Sequence, residues 1–95
     1  MSNTKMKLTR WEDVEREIYT DEEIREGDLR VALISELIEA RKNKGISQKK
    51  LEELSGVSQP VIARLETGKT SPQIDTVLKI LAPLGKTLKV VSIDP

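Results

Sequence analysis

The chain has no cysteine, no histidine and no phenylalanine, and only one tryptophan and one tyrosine among its 95 residues. Without cysteine there is no disulfide and no thiolate metal site, which fits a reducing, cytoplasmic compartment. Without histidine, imidazole acid–base chemistry and zinc catalysis lose their usual side chain. No evident acidic pair replaces them, so neither an enzyme nor a cofactor or metal site is expected. The longest apolar runs are a few residues, too short to cross a bilayer. The N-terminus lacks the apolar stretch of a signal peptide. No membrane partner is expected.

What is there suits one small domain with a short arm: 37% of residues are hydrophobic and 34% charged. The formal charge is zero, but it is unevenly spread. Residues 1–28 hold five basic and nine acidic side chains, a net −4. Residues 29–95 hold eleven basic and seven acidic, a net +4. Opposite charge in the two parts suggests two kinds of partner.

Capping signals divide the chain. Thr9 with Glu12, and Thr20 with Glu23, each read as a Ser/Thr-x-x-Glu capping box. Trp11, Val14 and Ile18 follow the first at helical spacing. Gly27-Asp28 is expected to interrupt or kink the path, and residues 29–44 to form a helix. That helix carries two apolar stripes, Leu29/Leu33/Leu37/Ala40 and Val31/Ile34/Ile38, which predicts cover on two sides. Gly45 ends it. Ser47 caps a short helix at 48–54, and Ser55-Gly56-Val57 is a turn. Ser58 caps a second helix at 59–66, where Pro60 is tolerated in the first turn. Ser71-Pro72 starts a further helix with an apolar face of Ile74, Val77, Leu78 and Leu81. Residues 86–93, rich in Leu, Val and Ile, read as a strand.

Two short helices around a glycine turn describe a helix-turn-helix. Several stretches make the match specific: Leu37-Ile38-x-x-Arg41, Gly45-Ile46-Ser47-Gln48-x-x-Leu51, Gly56-Val57-Ser58-Gln59, Ile62-x-x-Leu65-Glu66-x-Gly68-Lys69 and Pro72. On these residues the segment 34–85 resembles the Xre/Cro/CI-type helix-turn-helix domain of phage repressors and bacterial regulators. The resemblance implies a mainly α, five-helix lambda-repressor-like fold. It divides the chain into an acidic helical arm (1–28), a DNA-binding domain (29–85, motif 48–66) and a C-terminal dimerisation strand (86–95).

In such a domain the second motif helix enters the major groove of double-stranded operator DNA. Leu51, Val57, Ile62 and Leu65 then face inward, leaving Ser58, Gln59, Val61 and Arg64 outward. Gln pairs with adenine and Arg with guanine, so Gln59 and Arg64 are the expected base readers, with apolar contact from Pro60 and Val61. Gln48 at a helix start, and Lys69 with Thr70 in a loop, are expected phosphate holders. Lys42, Lys44, Lys49 and Lys50 supply general attraction. The resemblance makes Arg41 and Glu66 a structural ion pair. Two residues depart from the family pattern. Glu52 replaces a small alanine and must turn to solvent or pair with Lys49 or Lys50. Pro60 brings no side-chain donor or acceptor to its recognition position.

Trp11, Val14 and Ile18 either fold back onto Val31, Ile34 and Ile38 or, with Tyr19 as a second aromatic anchor, grip a basic partner with Glu15 and Glu22 at the rim. The arrangement is similar to HigA-type antitoxins of bacterial toxin–antitoxin operons. That likeness implies binding to a basic, HigB-like ribosome-dependent mRNA endonuclease and repression of the shared operon. The C-terminal strand needs a pairing partner. A second copy across a two-fold axis supplies one through Leu88, Val90, Val91 and Ile93, giving a homodimer and, with toxin, a heterotetramer. The other reading is a phage-type or chromosomal repressor with no toxin.

Overall fold

Thr20 and Glu23 cap each other. The Thr20 backbone N–H donates to Glu23 Oε1 at 2.9 Å, and the Glu23 N–H donates to Thr20 Oγ1 at 3.1 Å. This closed box starts the long N-terminal helix among the described residues of the computed structural model, which describes residues 18–93. Helix α1 is Asp21–Asn43, α2 Gln48–Ser55, α3 Gln59–Glu66 and α4 Ile74–Leu81, followed by a 3-10 turn at Ala82–Leu84. The chain divides into two compact units, Met1–Val31 and Ala32–Pro95.

In the first unit, α1 runs through Gly27 without the expected interruption. A single interior glycine costs only about 1 kcal/mol relative to alanine. Local bonds offset part of that: the Arg30 guanidinium spans one turn to Glu26 at 2.6 Å. Asp21, Glu22 and Glu23 occupy the first turn, where the helix dipole favours negative charge. Ile18, Tyr19, Leu29 and Val31 are exposed. Trp11, Val14 and Glu15, and the first capping box, lie outside the described residues.

In the second unit, Ile34, Leu37 and Ala40 of α1 enter one core with Leu51, Val57, Ile62, Leu65, Val77, Ile80, Leu81 and Leu84. Leu33 and Ile38 pack against it. The buried line on α1 therefore cuts across both expected stripes, following the i, i+3 spacing of residues 34, 37 and 40. Helix α2 packs on α3, on α4 and on the 3-10 turn. Eight-residue helices are marginal alone, so α2, α3 and α4 depend on this shared core. Alanine in place of Leu37, Leu51 or Ile80, none of which is exposed, would cost about 2–5 kcal/mol.

Two expectations need correction. Helix α4 begins at Ile74 with Gln73 as N-cap, rather than at Ser71-Pro72. Its inner face is Val77, Ile80 and Leu81, while Ile74 is 69% exposed. Residues 86–93 form no strand among the described residues. No second strand forms among the described residues, and an isolated strand leaves its backbone groups unpaired. Of the five helices expected, the described residues show four α-helices, followed by one 3-10 turn.

Candidate nucleic-acid interface

Helix α1 ends in a Schellman turn. The Ile46 N–H returns to Arg41 O at 3.1 Å, and the Gly45 N–H to Lys42 O at 2.9 Å. The turn brings Arg41 beside the start of α2, where its Nη1 donates to Ile46 O at 2.8 Å. The rest of the guanidinium forks onto Glu66 at the end of α3: Nε to Oε2 at 2.7 Å and Nη2 to Oε1 at 3.0 Å. These side chains are only 11% and 8% exposed. A bidentate pair of this kind fixes geometry as well as charge.

The network continues outward. Gln48 Nε2 donates to Glu66 Oε1 at 2.8 Å, and Gln59 Nε2 donates to Gln48 Oε1 at 2.7 Å. Arg41, Glu66, Gln48 and Gln59 thus form one hydrogen-bonded line from the core edge to the first residue of α3. Gln59 keeps its Oε1 and a second Nε2 hydrogen outside this line, the pair of groups that adenine recognition requires. Gln48, an expected phosphate holder, has its side chain engaged within the protein. Its side chain is a strut between two others, Glu66 and Gln59. The first turn of α2 is capped by Ser47, whose Oγ accepts the Lys50 N–H at 3.0 Å.

Ser55-Gly56-Val57 joins α2 to α3. Gly56 has φ 80°, a left-handed conformation that favours glycine. The expected cap of α3 is only partly realised. Ser58 has the extended backbone of an N-cap, and its carbonyl accepts from Val61 N at 3.0 Å and Ile62 N at 3.1 Å. Its side chain makes no cap bond. Instead Glu52 Oε2, from α2, accepts the Gln59 N–H at 3.0 Å. Glu52 Oε1 also takes Lys49 Nζ at 2.9 Å. Lys49 and then the Gln59 N–H hold the Glu52 carboxyl below its ordinary value of 4.5, and the same pair raises Lys49 above 10.5.

Val61 and Arg64 are exposed on α3. Together with Leu65, Thr70, Ser71, Pro72, Gln73 and Thr76 they line an open concavity of about 310 Å³ between α3 and α4. Lys69 is exposed in the same loop, and its backbone N–H donates to Thr67 Oγ1 at 3.3 Å. Thr67 in turn closes α3 by donating to Arg64 O at 2.6 Å. The concavity therefore brings Val61, Arg64 and Thr70 together, while Gln59 and Pro60 stand at the start of α3. Of the expected attractive lysines, Lys49 and Lys50 are paired to Glu52 and Glu53. Sequence reasoning missed three features: Glu52 as the cap of α3, Gln48 as a strut, and Gln73 and Thr76 beside Arg64. The only available signal was Glu52 itself, a carboxylate seven residues before a helix start.

Residues 37–91 match the helix-turn-helix family model. An uncharacterized HTH-type transcriptional regulator of Haemophilus influenzae is 63% identical over 81 residues, covering 85% of this chain and 83% of that protein. The HTH-type transcriptional regulator PuuR of Escherichia coli is 40% identical over 52 residues, 55% of this chain and 28% of that longer protein. Among solved structures, one described as a toxin–antitoxin module from Streptococcus pneumoniae superposes with a TM-score of 0.72. It is 70% identical, over 92% of this chain and 96% of that one.

Proposed function

This chain belongs to the helix-turn-helix family, and from that membership we propose that it is a DNA-binding antitoxin that represses its own operon. It binds double-stranded operator DNA and neutralises a cognate HigB-like mRNA endonuclease by direct contact. The observation that carries the DNA half is the Gln48–Gln59 bond, which holds a base-reading amide at the entry end of α3. Gln59 and Arg64 read bases, Ser58, Pro60 and Val61 supply close contact, and Gln48, Lys69 and Thr70 hold phosphates. Arg41 and Glu66 keep the helices in register and do not touch DNA.

The toxin half rests on the likeness to the pneumococcal toxin–antitoxin module and on the −4 charge of residues 1–28. Trp11, Val14, Glu15, Ile18, Tyr19 and Glu22 are the toxin-binding group. A basic toxin complements them in charge, and the aromatics anchor it. Leu88, Val90, Val91 and Ile93, exposed in the single chain, pair with a second copy. The homodimer sets two α3 helices about 34 Å apart, the repeat of the major groove. With two toxins it becomes a heterotetramer. A repressor without a toxin is the second reading, favoured by relatives described only as transcriptional regulators.

Co-expression with the adjacent reading frame, followed by pull-down and mass measurement, separates the two readings. A stable complex that is lost on deleting residues 1–28 supports the antitoxin. Full-affinity capture by the deleted chain would rule out the arm as the toxin-binding element. A dimer that persists after truncation at Gly85 would rule out the C-terminal contact.

A further inference from the structure

The first turn of α3 holds three backbone N–H groups, and all three are satisfied within the protein. Val61 and Ile62 donate to Ser58 O, and Gln59 donates to Glu52. Pro60 has no N–H to offer. A helix N-terminus ordinarily attracts phosphate through such groups. Here the carboxylate of a neighbouring helix already occupies that position. Its own charge is balanced by Lys49.

We propose that Glu52 is a specificity-determining residue that acts through Gln59. It closes the N-terminus of α3 against DNA phosphate and fixes the turn from which Gln59 projects. The helix then meets DNA through side chains rather than through its backbone. Phosphate contact is left to the start of α2 and to the loop at 69–70. A second consequence concerns Lys49. Its 2.9 Å pair with Glu52 keeps it from acting as a full phosphate counter-charge. Glu52 thus lowers sequence-independent attraction twice, by filling an anion site and by engaging a lysine. Holding the turn that carries Gln59 raises the ratio of specific to non-specific binding, the quantity that governs site selection, while engaging Lys49 sets the salt dependence.

This inference rests on the DNA-binding reading, and the test separates the two. The wild-type full chain is first used to enrich a site from a random duplex library. Failure to enrich any site defeats the DNA-binding reading itself. With an enriched site in hand, wild type, Glu52→Ala and Glu52→Gln are titrated by anisotropy against that site and a scrambled duplex, across a salt series. Circular dichroism monitors folding. Glu52→Ala removes the acceptor, and its specific-to-non-specific ratio should fall at least about tenfold, the scale of one base contact. Glu52→Gln keeps an acceptor for the Gln59 N–H but frees Lys49. Its ratio should stay within about threefold of wild type, while its log–log salt slope steepens by about 0.9, one added phosphate contact. A folded Glu52→Ala with the wild-type ratio overturns the proposal. If Glu52→Ala does not fold, Glu52→Gln decides: an unchanged salt slope, or a lost ratio, overturns it.

Discussion

Gln59 Nε2 lies 2.7 Å from Gln48 Oε1, so the first residue of α3 is held by the first residue of α2. The two helices of the motif are tied at their N-terminal ends through these side chains. A flexible glutamine would lose rotamer entropy on binding a base. This one has already lost part of it.

Gln48→Ala should therefore weaken operator binding without touching a base. The expected loss is about 1 kcal/mol, the scale of one net hydrogen bond, with little change in the salt slope. A titration at constant salt checks it, and a melt shows whether the fold is kept.

The Arg41–Glu66 pair is nearly buried, and removing one partner strands the other. Arg41→Ala or Glu66→Ala should destabilise the domain by about 3–5 kcal/mol in urea unfolding. Replacing both by apolar residues of similar volume should cost much less. Loss of DNA binding in the single mutants would then follow the unfolded fraction.

Glu52 gives the domain an acid-sensitive contact. Its folded-state pKa is below the ordinary 4.5, so its contribution is present above that value and lost as pH falls through the folded pKa. Lys49 has the opposite sense: its contribution is present below 10.5 and lost as pH rises through its raised value. The melting-temperature difference between wild type and Glu52→Gln should be level near neutrality and shrink at acid pH. A difference that stays constant down to about pH 2, below the carboxylate range, would argue against the contact.

Gly27 sits inside α1 without a positive φ, and a β-carbon added there would meet nothing within 4 Å among the described residues. Gly27→Ala should stabilise α1 by about 0.5–1 kcal/mol. Native-state hydrogen exchange of α1 amides reads this locally, as slower exchange in the variant.

Local grammar made much of this legible. The Thr20–Glu23 box, the Ser47 cap, and the left-handed glycines at 45 and 56 are short-range signals, and each stands where the sequence puts it. Burial of Leu51, Val57, Ile62 and Leu65 followed from the motif's inward positions. What was not legible depends on distance. Ser58 reads as a cap, yet Glu52 takes the bond because the turn at Gly56 swings α2's carboxylate onto α3. The engagement of the Gln48 side chain was not legible either, because Glu66 and Gln59 converge on it from 18 and 11 residues away. Residues 86–93 read as a strand because β propensity describes a surface that still needs a neighbour.

The proposed base reading by α3 depends on Gln59 and Arg64. Anisotropy titration of Gln59→Ala and Arg64→Ala against the enriched site tests it most directly. Each folded variant should lose about 1–3 kcal/mol on that site and almost nothing on a scrambled duplex. Wild-type affinity for the site in both folded variants would contradict it.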